Sequence, residues 1–193
     1  MVSERGQVHT LEAIVAGLLL TSSIVLALQM TAVTPLSAST SSQHIENQQA
    51  ASAAGVLAIA SRNDSLRETV LYWNSTENRF HEANPTGFYT RQLPTALGRS
   101  LQRTFGDRGI AYNVYVSYYK SGQPQRKPIL YRGEPTDNAV SAGRTVVIAN
   151  DTRLLNGNLT RGPPVNSSNF YADNNGEGPV FDVVRVEVVV WRI

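Results

Sequence analysis

The chain has 193 residues, which is enough for one globular domain and an appendage but not for two large domains. It carries 17 lysines and arginines against 15 aspartates and glutamates, and a formal net charge of +2 indicates neither a nucleic-acid-binding protein nor an acidic tail. Cysteine is absent, which excludes disulfides, thiolate metal sites and thiol catalysis, and the 3 histidines lack the short spacing of a zinc site. We therefore expect no metal, no cofactor and no nucleic-acid partner.

An apolar run near the N-terminus is the first predicted element. Residues 13–33, AIVAGLLLTSSIVLALQMTAV, include no charged side chain. As a helix rising about 1.5 Å per residue, this run is long enough to cross the hydrocarbon core of a bilayer. The hydroxyl groups within it can bond back to helix carbonyls, and the small residues Gly17, Thr21 and Ser22 would let a second helix approach closely. The run predicts a transmembrane helix.

The positions of the basic residues predict the orientation of this helix. Arg5 precedes the run, and no lysine or arginine occurs between Thr34 and Arg62. Basic residues favour the cytoplasmic side, so the N-terminus is expected inside and the C-terminal part outside the cell. A cleaved secretory signal is the competing interpretation, but its apolar region would be shorter, and Leu36 stands where the cleavage site near Ala38 requires a small residue.

In front of the apolar run the sequence reads RGQVHTLEA, residues 5–13. This stretch resembles the class III signal peptides of archaeal type IV pilin-like proteins and archaellins, in which a membrane-embedded prepilin peptidase cuts after a glycine that follows a basic residue. The resemblance implies cleavage between Gly6 and Gln7 and a mature chain that keeps the apolar helix. As far as Gln49, the sequence is also similar to a family of haloarchaeal pilin-like membrane proteins.

Glu12 is the candidate assembly residue. A carboxylate at the edge of the hydrocarbon is costly unless it is paired, so an ionisable residue there is a functional candidate. The resemblance implies that its partner is the new N-terminal ammonium group of Gln7 in a neighbouring subunit, which exists only after cleavage. The other interpretation is an ordinary interfacial residue among the lipid headgroups.

Pro35 predicts a kink or break where the chain leaves the membrane. The expected organisation is therefore a leader (1–6), a transmembrane helix (7–34), a stem helix (35–62) and an extracellular α+β domain (63–193). A narrow, mostly apolar stripe of stem residues recurs at helical spacing and predicts that the stem helix packs on a sheet. The alternative is a solvent-exposed stalk between the membrane and the domain. The stripe comprises Ile45, Gln49, Ser52, Val56 and Ile59.

Two short helices are predicted next. Asn63 and Asp64 can cap the first, and Pro94 can open the second, which Gly106 closes. Each helix has one apolar face, typical of a helix that covers a core. These faces comprise Leu66, Val70 and Trp73 in the first helix, and Leu97, Leu101 and Phe105 in the second.

The second half of the chain alternates with the period of β-strands. Residues 111–120, 127–134, 144–151 and 179–193 predict four strands, and Val184, Val186, Val188 and Val190 share one face of the last. Residues 121–128, SGQPQRKP, are expected to form a solvated hairpin loop, and residues 151–179, rich in glycine, asparagine and proline, a long surface loop. The fold class is thus α+β, with a long N-terminal helix, two short helices and an antiparallel sheet of about four strands.

Five Asn-x-Ser/Thr motifs follow the apolar run, which fits an exported and glycosylated domain, although such residues are also common in surface loops. These glycosylation candidates are Asn63, Asn74, Asn150, Asn158 and Asn166.

Catalytic chemistry has little support. His81 with Glu82 suggests acid–base catalysis, and further carboxylates are present at Asp107, Glu134 and Asp137. Acidic residues in turns, however, usually form hydrogen bonds with the turn backbone rather than take part in catalysis. A group of basic and aromatic residues suggests binding of DNA, with tyrosine rings stacking on its bases, although a solvated hairpin is the favoured interpretation. This group comprises Lys120, Arg126, Lys127, Tyr115, Tyr119 and Tyr131. We expect no enzyme.

Two functions remain open. The first is a membrane-anchored, pilin-like subunit that a prepilin peptidase processes and that joins a surface filament or pseudopilus through its N-terminal helix. The second is a signal-anchored extracellular binding domain that does not polymerise. Only the first gives Glu12 a role, so replacing Glu12 distinguishes them.

Overall fold

The computed structural model describes the backbone of residues 3–192 and the side chains of residues 9–29 and 43–192. Two structural units are present, Met1–Ile45 and Glu46–Ile193. The fold is α+β, as predicted from the sequence. The helices are α1 (Ser3–Arg62), α2 (Ser65–Leu71), α3 (Ala96–Thr104) and a short 3-10 helix (Gly106–Arg108); the strands are β1 (Trp73–Asn74), β2 (Arg79–Phe80), β3 (Ile110–Lys120), β4 (Gln123–Leu130), β5 (Val140–Ala149), β6 (Arg153–Leu155), β7 (Arg161–Pro164) and β8 (Val180–Arg192).

The backbone of α1 is helical through Pro35, where the sequence predicts a kink or break. A proline within a long helix removes one N–H donor, while the hydrogen bonds of the preceding and following turns can persist. The expected break is therefore not found. The division of α1 into a membrane segment (7–34) and a stem (35–62) stays a prediction.

The main sheet has four antiparallel strands in the order β4-β3-β8-β5. Strand β8 lies inside the sheet, and its four predicted core valines are completely buried. Val114 and Val116 of β3 lie opposite Val188 and Val186 and are equally buried. The alternation read from the sequence therefore identifies the inner face of this sheet correctly.

The C-terminal part of α1 contributes to the same core, but along a different stripe from the predicted one. Gln49 and Val56 are buried as expected, whereas Ser52 is exposed and Ile59 is 61% exposed. Of the remaining buried positions, one is Leu57 and two are the small residues Ala53 and Ala60, which allow the helix backbone to approach the sheet closely. The buried stripe comprises Gln49, Ala53, Val56, Leu57 and Ala60.

The two short helices lie close to their predicted positions. The carboxamide oxygen of Asn63 accepts hydrogen bonds from the backbone N–H and hydroxyl of Ser65, at 3.2 and 2.7 Å, whereas the Asp64 side chain forms no capping bond. Trp73 was expected on the apolar face of the first helix but lies in β1, which forms a two-stranded hairpin with β2. The other predicted face residues are buried: Leu66, Val70, Leu97, Leu101 and Phe105.

The prediction of a hairpin loop that spans residues 121–128 is wrong, because the connection is much shorter. Only Ser121 and Gly122 connect β3 to β4, with φ angles of 51° and 72°, the values of a two-residue type I′ turn. This turn matches the twist of the strands and lets pairing resume at once, so the polar residues after it belong to β4. The strand predicted at 127–134 correspondingly ends at Leu130.

The segment 151–179 is not simply a surface loop, which corrects another expectation. It contains the β6–β7 hairpin, and Val165, Phe170, Tyr171 and Ala172 are buried in the core. The ring of Tyr171 lies 5.0 Å from that of Trp73 and 4.9 Å from that of Tyr118. Exposing these aromatic rings to water would cost free energy. This cost outweighs the turn-forming tendency of the surrounding glycines and asparagines, so the segment folds back over the core.

Candidate membrane-anchoring and assembly site

The apolar segment of α1 is the clearest functional feature of the chain. Residues His9–Gln29 form 21 residues of helix with a mean hydropathy of 2.2, and none of this stretch is buried within the protein. Leucine, isoleucine and valine side chains are exposed around the helix, which suits a lipid environment. By length and composition, this helix can serve as a membrane anchor, and a signal sequence near an N-terminus has the same properties.

The polar side chains within this segment bond along their own helix. The Thr21 hydroxyl donates to the Gly17 carbonyl at 2.7 Å, and the Ser23 hydroxyl donates to the Leu20 carbonyl at 2.8 Å. Such bonds satisfy a hydroxyl that has no water around it. Apart from the adjacent backbone of its own helix, a Cβ atom added at Gly17 would meet no described atom within 4 Å, so this position presents open space to an approaching helix.

Glu12 lies at the N-terminal end of the apolar segment. Its carboxylate Oε2 is 3.7 Å from Nδ1 of His9, one helical turn earlier, and both side chains are exposed. This contact within the helix leaves the carboxylate accessible to a second chain. The side chains of the predicted cleavage residues, Gly6 and Gln7, lie outside those that the structure describes.

His81 and Glu82 do not assemble a recognisable acid–base pair. The His81 ring stacks at 5.0 Å on Tyr72, whose hydroxyl donates to the Gly157 carbonyl at 2.6 Å and lies 3.1 Å from Glu82 Oε1. Burial, and secondarily the hydrogen bond to Glu82, raises the pKa of Tyr72 to about 12. Glu82 lines a surface groove of about 370 Å³, and His81 is not among the residues lining it.

The other predicted carboxylates are also dispersed. Asp107 accepts a hydrogen bond from Gln102 at 2.9 Å, and Glu134 accepts one from the Tyr131 hydroxyl at 2.8 Å, while Asp137 is exposed. Within residues 9–29 and 43–192, no group of three histidine, aspartate or glutamate side chains is arranged to hold a metal ion. These acids thus have separate local contacts.

Two of the three basic residues that suggested stacking on bases, Arg126 and Lys127, contact the protein itself. Arg126 forms a 2.7 Å ion pair with Glu187 and lies 3.8 Å over the ring of Tyr115. Lys127 lies 4.1 Å over the ring of Trp73, and its burial lowers the pKa of the ammonium group. Both residues belong to β4 and contact side chains of other strands, so they stabilise the fold.

The five glycosylation candidates differ in their local contacts. Asn63, Asn74 and Asn166 use their carboxamide oxygens in turns, and the serine of the Asn63 motif, Ser65, is buried. The Asn150 amide donates to the Gly178 carbonyl at 2.8 Å. Asn158 is exposed in the connection between β6 and β7. Use of any of these motifs remains a prediction.

Asp182 is a polar residue that the sequence analysis missed. It is only 3% exposed, although it lies in the valine-rich strand β8. The alternation that places Val184, Val186, Val188 and Val190 inward also places Asp182 inward, so the signal was present in the sequence.

Residues 5–190 match a family described as a family of unknown function, DUF7288, and the chain belongs to that family. The match spans both the apolar helix and the α+β domain. No curated protein and no solved structure matches the chain. Function is therefore inferred from the residues themselves.

Proposed function

We propose that this member of DUF7288 is a membrane-anchored, pilin-like subunit of a surface filament or pseudopilus. A prepilin peptidase cuts between Gly6 and Gln7, and the apolar helix remains in the mature protein. The observation that carries the proposal is the order of features along α1: a basic residue and a glycine, then a carboxylate, then an uninterrupted apolar segment, and finally a helical stretch within the domain core.

The apolar segment supplies both the anchor and the assembly surface in this proposal. Its side chains make no contact that buries them within the subunit, so lipid or neighbouring helices must cover them. Gly17, Thr21 and Ser22 form a small-residue patch at which two helices can approach closely. Arg5 before the segment favours a cytoplasmic N-terminus and a C-terminal domain outside the cell.

The proposed role of Glu12 is to set the register between subunits. An unpaired carboxylate near hydrocarbon costs several kcal/mol in the most unfavourable case, so a partner cation is strongly favoured. Cleavage after Gly6 creates an ammonium group on Gln7, and this group in one subunit pairs with Glu12 of the next. Processing would thereby switch on assembly.

The stem offers a second contact between subunits. Ile59 is exposed on α1, away from the buried stripe that includes Leu57. Packing of Ile59 against a neighbouring stem would remove apolar surface from water and continue the helix contacts beyond the membrane.

Replacing Glu12 tests the proposal directly. Glu12→Gln keeps the side-chain length but removes the charge, and we expect it to remain in the membrane fraction while its recovery in sheared filaments falls at least tenfold. Glu46→Gln is the matched control, because it removes a carboxylate from the same helix beyond the apolar segment, and it should assemble as the wild type does. If Glu12→Gln assembles normally, or if the wild type forms no filaments, the chain is instead an anchored binding domain.

A further inference from the structure

The buried carboxylate of Asp182 has an unsatisfied oxygen. Asp182 is 3% exposed, and its Oδ2 atom has no hydrogen-bond partner among the residues that the structure describes. No lysine or arginine within the described residues forms an ion pair with it, and the nearby charge that acts on it is the carboxylate of Asp173. A buried anion beside a second anion is unfavourable unless a proton or a cation compensates the charge.

Several oxygen atoms converge on this position. The amide nitrogen of Asn175 donates to the main-chain carbonyls of Tyr119, at 3.1 Å, and Asp173, at 3.2 Å, and the same side chain bonds to the Asp182 carboxylate. An amide nitrogen surrounded by carbonyl and carboxylate oxygens marks a position where the potential favours positive charge.

Hydrogen bonds fix the position of the loop at residues 173–176, which precedes β8. The backbone N–H of Ser121 donates to Asp173 Oδ2 at 2.7 Å, and the N–H of Gly176 donates to the Phe181 carbonyl at 2.8 Å. A side chain at Gly176 would collide with the carbonyl of Val180, so only glycine permits this close approach. Asp173 is partly buried and Asn175 is exposed, so the buried carboxylate lies beneath a polar surface accessible from solvent.

We propose that Asp182, Asp173 and the main-chain carbonyls of Tyr119 and Asp173 form a binding site for one divalent cation of the calcium type. All four groups offer oxygen, the ligand that Ca²⁺ prefers, and the site has no nitrogen or sulfur ligand that would select zinc. Asn175 completes the set by turning its carboxamide oxygen toward the ion. Mg²⁺ is disfavoured because it requires a smaller, nearly octahedral site.

The bound cation would fasten three segments together. Tyr119 is the penultimate residue of β3, Asp173 lies in the segment that covers the core, and Asp182 lies in β8. Neutralising the two carboxylates removes the repulsion between them and satisfies Asp182 Oδ2. The fold should therefore be more stable with Ca²⁺ than without it, independently of whether the chain polymerises.

The test uses the full chain in detergent micelles, freed of metal with a chelator and titrated with CaCl₂. Binding is measured by calorimetry and stability by thermal unfolding, and Tb³⁺ luminescence excited through Tyr118 and Tyr171 reports proximity of the ion to these rings. We expect one Ca²⁺ per chain and a rise in Tm of about 5–10 °C when free Ca²⁺ is a hundredfold above the Kd. Mg²⁺ at the same concentration should give a smaller rise.

Asp182→Asn is the decisive variant. It should bind no Ca²⁺, lose the Ca²⁺-dependent rise in Tm and unfold at a higher temperature than the wild type in chelator, because its buried side chain is uncharged. Asp173→Asn, which should also lose Ca²⁺ binding, keeps the test valid if Asp182→Asn fails to fold. Asp137→Asn, at an exposed loop position, should respond as the wild type does. The proposal is overturned if the wild type shows no Ca²⁺-dependent change up to about 10 mM, well above the Kd of weak extracellular calcium modules, or if Asp182→Asn and Asp173→Asn bind as the wild type does.

Discussion

Packing of the C-terminal part of α1 into the domain core can be tested with two hydrophobic residues that lie close together in the sequence. Leu57 is 1% exposed within the core, whereas Ile59, two residues later on the same helix, is 61% exposed. Truncating a fully buried leucine to alanine removes its transfer free energy and leaves a cavity, for a combined cost of about 3 kcal/mol. Truncating the exposed isoleucine should change the free energy of unfolding by less than about 0.5 kcal/mol, because alanine is also the better helix former.

The measurement is thermal unfolding of the full chain in detergent, followed by circular dichroism and by the fluorescence of Trp73 and Trp191. For a protein of this size, about 3 kcal/mol corresponds to a fall in Tm of about 6–12 °C for Leu57→Ala. Ile59→Ala should unfold within about 2 °C of the wild type. Equal shifts for the two variants, or a shift below about 3 °C for Leu57→Ala, would show that residues 46–62 are not part of the core.

Two further predictions concern glycine and tyrosine positions in the domain. Gly98→Ala should lower the free energy of unfolding by about 1–3 kcal/mol in urea melts, because the added Cβ would collide with the backbone of Leu93, whereas Gly55→Ala, at a position with open space, should raise it by about 0.5–1 kcal/mol. Burial raises the pKa of Tyr72 to about 12, above the ordinary tyrosine value of about 10, so its contribution to stability is complete below pH 10 and is lost as the pH rises toward 12. Tyr72→Phe should reduce this alkaline loss in urea melts at a series of pH values, and an unchanged slope would contradict the assignment.

The predictions from periodicity succeeded where one side of an element faces the core. In β8 the alternating valines identify the inward face, and in α3 Leu97 and Leu101, followed by Phe105, identify the covering face. Hydrophobic burial determines both patterns, so the sequence carries them directly. Asp182 follows the same alternation and faces inward, but its position is easily overlooked because the rest of the strand is rich in valine.

The sequence was less informative where small or polar residues occupy the core. The predicted stem stripe includes Gln49 and Val56 correctly, but it also includes the exposed Ile59 and lacks Leu57 and the alanines, because the size of a side chain does not reveal that the helix backbone must approach the sheet closely. The segment 151–179 is rich in turn formers, and only Phe170 and Tyr171 indicate that it folds over the core. Which of its residues lie beside Asp182 depends on long-range pairing that no local pattern encodes.

The N-terminal sequence of the mature protein tests the central claim most directly. Mass spectrometry of protein isolated from native membranes should identify an N-terminal peptide that begins at Gln7, with the apolar helix retained in the same chain. A peptide that begins at Met1 would contradict processing by a prepilin peptidase, and one that begins near Ser39 would show that the apolar helix is a removed signal sequence rather than the anchor of a pilin-like subunit.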